Sequence, residues 1–83
     1  GDEEWAKKVC KNAENTAKDS LDFLGLAESV FQYFRDEEWA IRLYKLAEDR
    51  AEEIYEFHWL VESLGQNLGD KEWAKQIRNK AEI

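Results

Sequence analysis

The pentapeptide Asp-Glu-Glu-Trp-Ala occupies residues 2–6 and again 36–40, and Asp-Lys-Glu-Trp-Ala occupies 70–74. Trp5, Trp39 and Trp73 are therefore separated by 34 residues each time, in a chain of 83 residues. The register holds around them: Ala6, Ala40 and Ala74 coincide, as do Ala13, Ala47 and Ala81, and Glu14, Glu48 and Glu82. Val9, Leu43 and Ile77 share one apolar position, and between the phrases Phe23 aligns with Phe57, Leu26 with Leu60 and Ser29 with Ser63. An internal repeat of this period constrains the chain more than any other feature, because it points to stacked helix hairpins that bury their faces only against each other.

The faces read as helices. In 36–49, Trp39, Ala40, Leu43 and Ala47 recur at three- and four-residue spacing, one stripe of a helix. Asp36 suits the N-cap, with Glu37 and Glu38 favourable to the dipole, and Asp2 and Asp70 hold the same place in their copies. The partner helix, the first type in each full unit where the Trp-Ala phrase opens the second type, begins near Asp19 or Ser20, with Phe23, Ala27, Val30 and Phe34 as its stripe. Leu68-Gly69-Asp70 reads as a stop and restart, since glycine tolerates a left-handed turn. The expectation is an all-α fold of stacked antiparallel helix hairpins, a right-handed α-solenoid fragment with helices near 2–17, 20–34, 36–51, 54–67 and 70–82. It forms a single domain over 1–83: a half unit 1–17 and full units 18–51 and 52–83. Within it, the Asp of each phrase starts a helix and the Trp and Ala pack it onto the neighbouring hairpin.

One junction is open. Residues 15–20, Asn-Thr-Ala-Lys-Asp-Ser, break the first helix pair, but their counterpart at 49–54, Asp-Arg-Ala-Glu-Glu-Ile, holds no breaker. Either packing imposes a turn there, or 36–68 forms one long helix whose exposed stripe invites a swapped dimer.

Composition narrows function by exclusion. A formal net charge of −7 disfavours nucleic acid and anionic membrane surfaces, which call for clustered Lys and Arg. No apolar run approaches the ~18–20 residues of a membrane span, and no signal peptide is visible. A single cysteine forms no internal disulfide, so a reducing cytosol is the expected compartment. The initial glycine and the lack of methionine point to a trimmed N-terminus. No P-loop or dinucleotide fingerprint is present, and no cofactor is called for.

The segment Gly69-Asp70 followed by Ala74, Ile77 and Ala81 resembles the second helix of a tetratricopeptide repeat, and Asp36, Ala40, Tyr44 and Ala47 resemble it more closely. The likeness spans the chain as half a hairpin and two full units. The chain departs from that family in lacking its proline near the repeat end, in placing Trp where a polar residue is usual, and in setting Leu26-Ala27 and Leu60-Val61 one position out of register with its Leu-Gly pair. The resemblance implies a protein or peptide ligand bound on the face lined by the first helix of each hairpin.

Where copies differ, the fold does not obviously require the residue. Tyr55, His58 and Trp59 replace Leu21, Leu24 and Gly25, and with Glu62 they form an expected binding surface on the second first-type helix. An exposed Trp beside Tyr is typical of an interface hot spot, although a terminal hairpin could instead cover Trp59. A histidine at a contact would couple binding to pH where imidazole ordinarily titrates. Ile41 replaces Lys7 and Lys75, and Leu46 replaces Asn12 and Lys80. Leu46 fits burial near Trp39, whereas Ile41 fits an interface. Phe31, with Ile41 an outer candidate of the binding surface, aligns with Gly65, and this glycine together with mid-helix Gly25 calls for close helix approach or room for a ligand. The acidic run Glu48, Asp49, Glu52, Glu53 and Glu56 reads as a solvated face able to steer a basic partner.

Cys10 replaces Tyr44 and Arg78, and it and His58 are the only residues of their kinds. A Cys10–His58 dyad beside Tyr55, Trp59 or Phe23 would suit ester or thioester cleavage, with Cys10 as nucleophile and His58 as general base. His58 and Glu62, at i and i+4, are too few for a tetrahedral metal site, so no metal is expected. Three readings result: a non-enzymatic scaffold binding a protein, a peptide or a second copy of itself; a small cysteine hydrolase; and an engineered repeat without a ligand.

Overall fold

The computed structural model describes residues 2–82, apart from the Glu82 side chain. It contains five helices and, among these residues, no strand: α1 (Asp2–Thr16), α2 (Ser20–Phe34), α3 (Glu37–Arg50), α4 (Ile54–Asn67) and α5 (Lys71–Glu82). Adjacent helices pack as antiparallel pairs in a slab 45 × 25 × 15 Å. The two extensive pairings are α2 with α3 and α4 with α5, while α1 touches α2 along a short strip.

Local chemistry sets most boundaries. Asp19 accepts from the Asp22 backbone N–H at 2.9 Å, Asp36 from Trp39 at 3.1 Å and Asp70 from Trp73 at 3.0 Å, so each caps its helix. Asp2 already lies within α1. Ser20 is buried instead, donating its hydroxyl to the Ala47 carbonyl at 2.7 Å and tying the start of α2 to the end of α3. Helices α2 and α4 end on the same repeat position: Arg35 (φ 55°) and Gly69 (φ 63°) are both left-handed. Arg35 bears the steric cost of that conformation, and its guanidinium lies 5.3 Å from the Phe31 ring centre.

The open junction resolves as a turn, so 36–68 is not one helix. Glu56 makes it. Its Oε1 accepts from the backbone N–H of Glu52 at 3.0 Å and of Glu53 at 2.9 Å, which satisfies donors that a helix start leaves orphaned. The same device recurs one unit earlier, where Asp22 accepts from the Lys18 N–H at 3.2 Å. The expected acidic face is solvated at Asp49, Glu52 and Glu53, but not at buried Glu56 or half-buried Glu48.

The core joins Phe23, Leu24, Ala27 and Val30 of α2, Trp39, Ala40, Leu43, Tyr44 and Ala47 of α3, Leu60 and Leu64 of α4, and Ile77 of α5. No residue of α1 is buried. Trp39 is 8% exposed but Trp5 is 70% exposed, so the expectation that each Trp packs onto a neighbouring hairpin fails for the first copy. The physical reason is positional. Trp39 and Trp73 each have a preceding unit to lie against, and nothing among the described residues precedes α1.

Candidate functional site

Helix α4 buries Glu56, Leu60, Ser63 and Leu64. The opposite face carries Tyr55, His58, Trp59, Glu62 and Gln66, all exposed, at the spacing of one helical stripe. Tyr55 and Trp59 meet edge to face with ring centres 5.6 Å apart, and Trp59 remains 49% exposed, so α5 does not cover it. Trp59 and Glu62 also line a shallow groove between α4 and α2, completed by Leu24, Glu28, Ser63 and Gln66. Its floor is hydrogen-bonded: Ser63 donates to Glu28 Oε2 at 2.8 Å and lies 2.6 Å from the Tyr44 hydroxyl, to which Asn67 donates at 2.9 Å. Burial, with the charge of Glu28, pushes the Tyr44 phenol up, against the opposing hydrogen bonds of Ser63 and Asn67.

The other singled-out residues lie elsewhere. Phe31, half-buried on α2, packs against the core beneath Arg35. Ile41 and Leu46 lie together in a wide groove of about 790 Å³ between α3 and α5, with Lys45, Trp73, Gln76 and Lys80 around them. Both replacements thus line one open groove, each half-buried. Neither Gly25 nor Gly65 marks close helix approach: a Cβ at either would meet open space.

Cys10 and His58 are not brought together. Cys10 is half-buried on α1 in a groove shared with Val9, Ser29, Tyr33 and Phe34, whereas His58 is exposed on α4. Among the described residues no hydrogen bond joins them, and no group of three or more His, Cys, Asp or Glu side chains converges as a metal site would. No described helix is long and apolar enough to cross a membrane.

Sequence reasoning missed the groove floor. It also missed the exposure of Trp5, Val9 and Tyr33 at the α1 end, for which the signal was present: 1–17 is a half unit, so its stripe has no hairpin partner in the repeat. Comparisons with protein-family models, with curated proteins and with solved structures find no match to this chain.

Proposed function

We propose that this chain is a non-enzymatic helical binding module that holds a protein or peptide segment along the outward stripe of α4 and the groove between α4 and α2. One observation carries the reading: Tyr55 and Trp59 form a mutually supported aromatic pair while each residue stays about half exposed, directly beside a groove. Rigid aromatics of this kind supply contact area at small entropic cost and dominate interface energetics. Glu28 and Glu62 line the groove, and the net charge of −7 steers cations toward it, so the reading favours a segment with Lys or Arg beside an apolar residue. The tetratricopeptide-like register supports the same face, because α2 and α4 are the first-type helices.

Selection of a random-peptide library on the immobilised chain tests this. Peptides pairing a basic with an aromatic or aliphatic residue should be enriched, and should lose at least about tenfold in affinity for Trp59→Ala, in line with a truncated hot spot. Enriched peptides indifferent to Trp59→Ala, or no enrichment, would sink the proposal.

A further inference from the structure

The α1 end presents a second surface, independent of the α2–α4 groove. Its groove, about 540 Å³, is lined by Trp5, Ala6, Val9 and Cys10 of α1 and by Ser29 and Tyr33 of α2, with Asp2 and Glu3 at one end. Tyr33 is 78% exposed, and Val9 is 46% exposed. This is a large apolar exposure for so small a domain.

The repeat itself shows what fills such a slot. Val9 occupies the position of Leu43 and Ile77, both fully buried, and Ala6 that of Ala40 and Ala74, both buried. In the second and third copies this stripe is closed by the hairpin pairings of α3 with α2 and α5 with α4. The groove at α1 is the same slot displaced by one repeat, bounded by the same helix types and left open. Both helices that close it elsewhere carry Phe-x2-Leu-Ala/Val-x2-Val/Leu: Phe23, Leu26, Ala27 and Val30 in α2, and Phe57, Leu60, Val61 and Leu64 in α4. We infer that the α1–α2 groove is a docking site for a separate amphipathic helix of this type, lying antiparallel to α1 as α2 lies against α3. Antiparallel docking sets the C-terminal end of the incoming helix beside Asp2 and Glu3. That end should therefore carry Lys or Arg, which complements both the carboxylates and the helix dipole; in α2 the C-cap position is Arg35.

The test titrates a synthetic peptide of residues 18–35, which contains no tryptophan, into the intact chain and follows tryptophan emission, with a scrambled peptide as control. A saturable blue shift, absent with the scrambled peptide and weakened about tenfold or more by both Val9→Glu and Tyr33→Glu, is expected, since each places a charge in an apolar slot. Circular dichroism of the two variants checks that helix content is retained, and Tyr33→Glu, on the exposed face of α2, guards against a misfolded α1. No saturable shift up to about 1 mM peptide, at the weak end of recognition, overturns the inference. So does a shift that survives both substitutions. Sedimentation of the chain alone supplies the remaining arm: a dimer that Val9→Glu dissociates would put a second copy in the groove and overturn the assignment to a separate helix.

Discussion

The Trp73 indole N–H donates to Glu48 Oε1 at 2.8 Å, and one repeat earlier Trp39 donates to Glu14 Oε1 at 3.0 Å. This bond links each second-type helix to the preceding one, α5 to α3 and α3 to α1. It gives Glu14 and Glu48 a role that helix propensity alone does not require. Cations reinforce it: Arg42 reaches Glu14 at 3.2 Å, and Lys80 pairs with Glu48.

Glu48 makes the chain acid-sensitive. Burial alone would raise its carboxyl, but hydrogen bonds from Lys80 and Trp73 and the charges of Lys80 and Lys45 outweigh burial and hold it below the ordinary glutamate range. A depressed folded-state value stabilises the fold above the unfolded value, near 4.3 for glutamate, and that stabilisation is lost as pH falls toward the folded value. Chemical denaturation across this acid range should show a falling midpoint, with a shallower fall in Glu48→Gln. Near neutral pH, Glu48→Ala should cost about 1–3 kcal/mol, because it strands the Trp73 donor and a charged partner. An unchanged acid limb in Glu48→Gln would refute the assignment.

Tyr44 acts at the other end of the scale. Its raised value means that the neutral phenol is the native form, so its contribution is complete below the unfolded value, near 10, and is lost as pH rises toward the folded one. Unfolding midpoints should drop above that pH in the parent chain and less steeply in Tyr44→Phe. At neutral pH, Tyr44→Phe should destabilise by about 1–2 kcal/mol, since Asn67 loses its closest acceptor and Ser63 one of three partners.

Glu56 holds the turn between α3 and α4. Glu56→Ala frees the backbone donors of Glu52 and Glu53 and should cost about 1–2 kcal/mol. It also removes half of the capping box that opposes a continuous 36–68 helix. A domain-swapped dimer should therefore appear on size-exclusion chromatography at high concentration in this variant before it appears in the parent. A variant as stable and as monomeric as the parent would show that packing alone makes the turn.

Gly25 and Gly65 are exposed helical positions with open space around the missing Cβ. Alanine at Gly25 should raise stability by about 0.5–1 kcal/mol, and at Gly65, in the last turn of α4, by less. Thermal melts of both single variants decide this. A loss at either site would reveal a contact that the packing does not show.

Cys10 and His58 lie on unconnected faces, so the alkylation rate of Cys10 should be the same in His58→Ala as in the parent. A clear slowing in the variant would restore the dyad and the hydrolase reading.

Much of the fold was legible because it is locally encoded. The five helices fall within one residue of the boundaries expected from stripes and caps, and Asp19, Asp36 and Asp70 cap as their type and place indicate. The exposed stripe of Tyr55, His58, Trp59 and Glu62 was also legible, since departure from the repeat and helical spacing point the same way. Asp49, Glu52 and Glu53 are exposed as expected of an acidic face, but two of its members differ. Glu48 and Glu56 have the composition of a solvated face, yet one receives an indole N–H across 25 residues and the other closes a turn.

The sequence by itself determined the helices, their caps and their repeat register, because these depend on contacts within a few residues and on a period visible in the chain. Tertiary structure alone decided the rest: the Glu56 turn where no breaker stands, the shared groove of Ile41 and Leu46, the separation of Cys10 from His58, and the exposure of Trp5 beside the burial of Trp39. Identical residues in identical local phrases diverge because burial belongs to the neighbour a helix acquires. Among the described helices, α1 has a neighbour on one side only.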